Sequence, residues 1–199
     1  MPSENNEKNK KLPPRQVPIK RLRRWGKEHP TIGGPVPKID LKSWMLIVDG
    51  EVEKPLRLDW NEFQKLPITE SISDFHCVEG WSVLDCRWEG VRFKDLANIV
   101  KPKETARFVS FECADGYSTS LPLNVLLEEN VLLAIKLDGK NLEEGLGAPV
   151  RLVVPNKYAY KSAMWITRIK FTAENELGYW EKRGYSDTAD VWKDDRFSR

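Results

Sequence analysis

In the stretch Asp74-Phe75-His76-Cys77-Val78-Glu79-Gly80-Trp81-Ser82, one of three cysteines stands beside one of two histidines, with a carboxylate and an indole just downstream. Ile68, Ile72 and Phe75 lead in and Gly80 offers a flexible exit. Cys77 is therefore predicted at the end of a strand where a loop begins, the usual seat of chemistry on a rigid scaffold. A thiolate there has three chemistries open to it: nucleophile, redox thiol or soft metal ligand. A buried structural cysteine is the fourth reading. Neighbours along a strand face opposite sides, so His76 is badly placed to activate Cys77, and His29 would have to reach it across space. With Cys86 and Cys113 the residues show no zinc spacing. Phosphate-loop, dinucleotide and haem-attachment patterns are likewise missing.

A second candidate lies downstream. Gly147-Ala148-Pro149-Val150-Arg151-Leu152-Val153-Val154-Pro155 embeds one arginine in an apolar run. A buried guanidinium without a partner costs several kcal/mol, so Arg151 needs either an external anion or an internal salt bridge. Tyr160-Lys161-Ser162-Ala163-Met164-Trp165 follows with a cation, a hydroxyl and backbone amides, equipment for a phosphate or a polar heterocycle.

The elements that must carry these groups are short. Strands are predicted over 42–48, 107–113, 117–121, 150–154 and 165–172, with a hairpin return over 51–58 and tight turns at Asp49-Gly50, Glu89-Gly90 and Asp115-Gly116. Asp59 caps a short helix running to Leu66, Phe93 to Val100 has helical spacing, and Pro122 opens a helical turn. Residues 130–137 read as a buried strand or a short helix. The expected class is α+β, a β-rich mixed-sheet domain with short helices.

The chain of 199 residues has a net charge of +2, unevenly spread. Nine lysines and arginines face only Glu4 and Glu7 in residues 1–27, giving that arm +7 and the remainder −5. The arm is expected to be flexible, with residues 28–199 forming one domain whose aromatic C-terminal tail packs back on the body. Such an arm suits an anionic partner or is simply a solvated tail. A nucleic-acid-binding domain would need exposed aromatics beside lysines and arginines on one face, and no nucleic acid is expected. No membrane span or signal peptide is read, and the three cysteines fit a reducing compartment, so the expected location is cytoplasmic.

Taken together, residues 75–82, 147–155 and 160–165 resemble, in order and spacing, the sulfite oxidase-type molybdenum-cofactor domain, in particular the compact bacterial sulfite oxidase-like oxidoreductases. Tyr179-Trp180-Glu181-Lys182-Arg183-Gly184-Tyr185 is similar to that family's closing Trp-x-x-x-x-Tyr element. The resemblance spans roughly Asp40 to Tyr185. It implies a sulfite oxidase-like molybdopterin-binding domain and a Mo-molybdopterin cofactor, with Cys77 as the thiolate ligand of molybdenum and Tyr185 as the active-site tyrosine. Arg151, Ser162, Ala163, Met164, Lys161 and Cys113 would contact the pterin or its phosphate. His76 falls in the same set, and His29, Thr31 and Ile32 lie where the family's N-terminal arm crosses the cofactor.

Leu146 and Met164 depart from the histidine and lysine often found there, which puts more of the affinity on Arg151 and Lys161. The Val78-Glu79-Gly80-Trp81-Ser82 run is similar to the sulfoxide-reducing branch rather than to true sulfite oxidases. The implied activity is two-electron oxo transfer on a small sulfoxide-like or sulfite-like molecule, with an external electron-transfer partner. A non-catalytic molybdopterin-carrying module is the alternative.

Overall fold

The computed structural model describes residues 10–29, 32 and 35–198. Its strands are β1 (Val17–Pro18), β2 (Met45–Gly50), β3 (Leu56–Asp59), β4 (Ile68–His76), β5 (Trp81–Arg92), β6 (Phe108–Cys113), β7 (Ser118–Pro122), β8 (Leu132–Leu137), β9 (Lys140–Asn141), β10 (Arg151–Val153) and β11 (Ile166–Thr172). They form two mixed sheets. One has the path β1-β5-β8-β10, with β4 on β5 and β9 on β8; the other runs β3-β2-β11-β6-β7. The β1–β5 and β2–β11 pairs are parallel and the rest antiparallel. Helices are few and short: α1 (Trp60–Phe63), α2 (Phe93–Val100) and α3 (Leu123–Leu126). The α+β, mixed-sheet expectation holds.

Local chemistry explains most boundaries. Asp59 and Glu62 form a reciprocal capping box that starts α1. In α2, Phe93, Leu96, Ala97 and Val100 fall on one buried stripe, and Lys101 ends the helix in the left-handed conformation. That stripe closes the main core between the two sheets, against Leu46, Val48, Phe111, Ile169 and Phe171 on one side and Val91, Leu133 and Leu152 on the other. Glu89-Gly90 is not the expected turn. β5 runs straight through it with a register shift against β8. Gly90 is required there because an added Cβ would sit 2.2 Å from the Leu133 carbonyl oxygen. A glycine inside a strand marks such a close backbone approach as readily as it marks a turn.

The long β4–β5 hairpin carries the cysteine stretch. Its register slips between Ser73 and Phe75. There the Asp74 carboxylate accepts the Asp85 amide at 2.9 Å, and Lys10 bridges Asp74 and Asp85 at 2.7 and 2.6 Å. A bulge of this kind re-aims the residues beyond it.

The basic arm is docked over its described part. Val17–Pro18 pairs with Trp81–Ser82, and Leu22 is buried in a second core cluster with Phe75, Trp81 and Trp88 on the outer face of the first sheet. Arg24 binds Glu143 at 2.6 Å and Arg15 pairs with Asp194. The sequence expectation of a loose arm through residue 27 therefore differs from the structure over residues 10–27. Lys10, Arg15, Arg23 and Arg24 meet carboxylates on the body, which carries the compensating negative charge. Residues 1–9 lie outside the described residues.

Candidate cofactor cavity and active site

Cys77 is the first residue after β4, at the head of a four-residue loop that β5 closes. The loop is tied by Cys77 N–H to Trp81 O at 2.8 Å and Gly80 N–H to Cys77 O at 3.0 Å, with Gly80 at φ +100°. A left-handed residue is needed to turn so sharply, and glycine supplies it. Gln16 adds a bond from its amide to Cys77 O at 3.1 Å. The thiol faces a cavity of about 170 Å³. Burial, with a smaller contribution from the Glu79 carboxylate, pushes it up to about 12. A free thiol so placed stays protonated, and binding to a metal removes the proton.

The cavity wall also carries His29, Ile32, Arg151, Ser162, Ala163, Met164 and Tyr185. Eight of the expected site residues, Cys77 included, thus converge on one space although the chain separates them by up to 156 positions. Cys113, Lys161 and His76 do not line it, and Thr31 lies outside the described residues. Cys113 is buried behind the wall, its thiol beside the Met164 backbone. His76 points the other way, as strand alternation requires. Its Nδ1 lies 2.7 Å from Ser82 Oγ, which donates to Gln16 Oε1 at 2.9 Å.

Lys161, expected at the cofactor, lies outside the cavity lining and is held by partners of its own. Its ammonium is fully buried, donates to Ser120 O at 2.9 Å and is paired with Glu181, whose carboxylate also accepts from Thr119 Oγ1 at 2.6 Å. A lysine committed to a buried carboxylate has no charge left for a ligand. Replacing one partner of such a pair leaves the other charge buried and alone. Lys161→Met is expected to cost about 3–5 kcal/mol of stability, read as a drop in the urea midpoint of the cofactor-free protein. Lys161→Met with Glu181→Leu should recover most of it.

Arg151 behaves differently. It is buried in the cavity wall and donates only to backbone carbonyls, Leu146 O at 3.0 Å and Ser162 O at 3.3 Å, with a marginal contact to Leu152 O. The rings of Phe75 and Trp88 lie 4.9 and 5.5 Å from its guanidinium carbon. Among the described residues no carboxylate pairs with it. Burial pushes its pKa down to about 10. Of the two partners the sequence left open, the internal salt bridge is absent from this set, and the charge faces the cavity.

Glu79, already singled out in the sequence, is joined at the site by Arg23, Trp25 and Asp115, which carried no signal there. Glu79 accepts from Trp81 Nε1 at 2.9 Å and lies 3.3 Å from His29 Nε2 and 3.5 Å from Arg23. Arg23 also sits over the Trp81 ring, and Trp25 packs 5.0 Å from His29. Arg23 and Trp25 belong to the arm, which its pairing with β5, the Trp25 N–H bond to Gly145 O at 2.9 Å and the Arg24–Glu143 pair bring here. Asp115, at the β6–β7 turn, lines the cavity too, its carboxyl raised by burial.

Among the described residues no three histidine, cysteine or acidic side chains could together hold a metal ion. One soft thiol beside an unpaired buried cation fits a metal that brings its other ligands with it, in an anionic organic cofactor. The oxidoreductase molybdopterin binding domain family is such a group, and its model matches residues 33–180. The chain belongs to this family. Over 159 residues it is 42% identical to the uncharacterized oxidoreductase YuiH of Bacillus subtilis (strain 168), covering 80% of each chain. It is 34% identical to the protein-methionine-sulfoxide reductase catalytic subunit MsrP of Campylobacter jejuni, covering 70% of this chain and about half, 52%, of that protein. Among solved structures, the sulfane dehydrogenase SoxCD of Paracoccus pantotrophus shares the fold, with a TM-score of 0.65 over 71% of this chain and 41% of that one at 20% identity. The protein is thus a molybdopterin oxidoreductase of the sulfite oxidase-like family. The mixed two-sheet arrangement is the molybdopterin domain's own fold. The family implies a molybdenum cofactor, and the cavity's donors are compatible with one.

Proposed function

We propose that this domain reduces a small neutral oxide, a sulfoxide above all, using electrons from an external redox partner. In this reading Cys77 ligates the molybdenum, Arg151 faces the cofactor's anionic part, Ser162, Ala163 and Met164 form its bed, and Tyr185 points at the reacting oxygen. When bound, the cofactor supplies two-electron oxo transfer. The chain supplies position, exclusion of water and the charge around the entering substrate.

The observation that carries the reading is the engagement of both cavity cations. Arg23 is bound to Glu79, and Arg151 donates to backbone carbonyls and is assigned in this reading to the cofactor's anionic part. Neither is a free fork for a dianion such as sulfite, and bidentate arginine is the usual means of holding one. Glu79 adds a negative charge two residues from Cys77, while Leu22, Trp25, Phe75, Trp81 and Trp180 give the cavity apolar walls that suit an uncharged thioether oxide. The methionine-sulfoxide reductase relative is in line with this.

The test is a direct comparison on protein loaded with cofactor. Sulfoxide reduction is driven by a reduced dye and sulfite oxidation is followed with an artificial acceptor. Expected is a kcat/KM for dimethyl sulfoxide or methionine sulfoxide at least about 100-fold above that for sulfite, and a narrowing of about tenfold in Glu79→Gln, the size of one charge interaction near a protein surface. Faster turnover of sulfite by the wild type would reverse the assignment.

A further inference from the structure

The loop bearing Cys77 is held from both sides, by the arm and by the tail, and one side chain of the tail reaches its backbone directly. We propose that Arg196 is a positioning residue for the Cys77 loop. Its guanidinium donates through Nη1 to Val78 O, the carbonyl next to the candidate ligand, and through Nη2 to Arg15 O at 3.4 Å. Nε donates to Asp194 at 2.6 Å, and the planar group lies 5.2 Å from the Tyr158 ring. Asp194 is itself fixed by the Tyr158 hydroxyl at 3.1 Å and by Arg15. The fork therefore touches three segments at once: the ligand loop, the arm and the tail.

The side chain of Val78 is anchored in the same place. It packs on the small cluster of Tyr158, Ala189 and Val191, the last two from the tail. The residue after Cys77 is thus fixed by its carbonyl and by its side chain, both to the tail. On the opposite flank Gln16 holds Cys77 O, and Val17 N–H donates to Gly80 O at 2.9 Å. A thiolate can be presented to a metal at one bearing only if its backbone has one conformation, and supporting hydrogen bonds set that conformation. Lysine cannot replace the fork, because it is a point charge without parallel donors. The placement of Cys77 toward a metal rests on the reading given above; the restraint on the loop backbone does not.

The experiment separates the two. Amide hydrogen exchange on cofactor-free wild type, Arg196→Ala, Arg196→Lys and Ser186→Ala reads the loop itself. Ser186→Ala is the control that loosens the tail, since Ser186 Oγ bonds Asp195 and the amides of Thr188 and Ala189 but not the loop. Expected in Arg196→Ala is exchange about tenfold or more faster at Cys77 and Gly80, the loss of one charge-assisted bond, with little change in the β6 and β11 amides. Arg196→Lys should give a partial loss and Ser186→Ala none at these two positions. Equal loop exchange in wild type and Arg196→Ala, or an equal effect from Ser186→Ala, would reduce Arg196 to a tether for the tail. On loaded protein, the absorption band of the cysteine-thiolate-to-metal transition should shift in Arg196→Ala and be lost in Cys77→Ser. If Cys77→Ser leaves that band intact, the ligand assignment fails while the exchange result still decides the role of Arg196.

Discussion

Cys77→Ser is expected to lower turnover by at least about 10³-fold, some 4 kcal/mol of transition-state stabilisation at 1.36 kcal/mol per decade, while the fold stays intact. The bonds that shape the loop come from the Cys77 backbone: its N–H to Trp81, its carbonyl to Gly80 and Gln16. Serine keeps all of them. What is lost is the soft sulfur, replaced by an oxygen whose proton is far harder to remove and which a metal held by sulfur ligands favours less. Molybdenum by elemental analysis, pterin by fluorescence after oxidation and the unfolding midpoint of the cofactor-free form should be measured together. An altered metal site with an unfolding free energy within about 1 kcal/mol of wild type is the expected pattern. Turnover within tenfold of wild type would remove Cys77 from the chemistry.

Arg151→Met should have the second large effect, and it takes opposite directions in the two forms of the protein. Without cofactor, the buried guanidinium is a liability. Its pKa falls from 12.5 to about 10 through burial, which corresponds to roughly 3 kcal/mol against the charged folded state. The sign follows from proton counting: below pH 10 the unfolded chain holds this proton more comfortably than the folded one does, so the charge opposes folding across the neutral range. Leaving Leu146 O and Ser162 O without donors offsets part of the gain, at about 1 kcal/mol each. Cofactor-free Arg151→Met is therefore expected to melt no lower than wild type, and its cofactor occupancy to fall by about tenfold or more, the loss of one buried charge-assisted contact. Thermal unfolding of both forms, with pterin content, checks this. Unchanged occupancy, or a much less stable cofactor-free protein, would show that Arg151 serves the fold instead.

The same residue shows how far the sequence could be read. An arginine among valines and leucines stands out because its environment is wrong for it, and that mismatch is local. Cys77 was legible for a similar reason, since an apolar alternation ending in glycine marks a strand tip. The partner of Lys161 was not legible, because Glu181 lies 20 positions on, in a segment whose path over the sheet no periodicity reveals. Glu79 and His29 were visible as candidates, but the approach of Arg23 and Trp25 to them was not. Their arm is placed in part by a strand of two residues, Val17–Pro18, too short to leave any pattern. Gly90 reads as a turn in sequence because the carbonyl that excludes every other residue comes from β8.

The convergence of both chain ends on one loop bears on the order in which the protein is made. A ribosome delivers the arm before the Cys77 hairpin and the tail after it. Until the residues through Arg196 have emerged, Val78 lacks its tail-side contacts and the cavity lacks Tyr185. The two sheets can pair well before that, since β11 ends at Thr172. Domains commonly fold as units during synthesis, with late segments docking on what is already formed. The cavity is therefore completed after its scaffold. A cofactor arriving in the interval would meet a folded body with one wall of its cavity still unfinished.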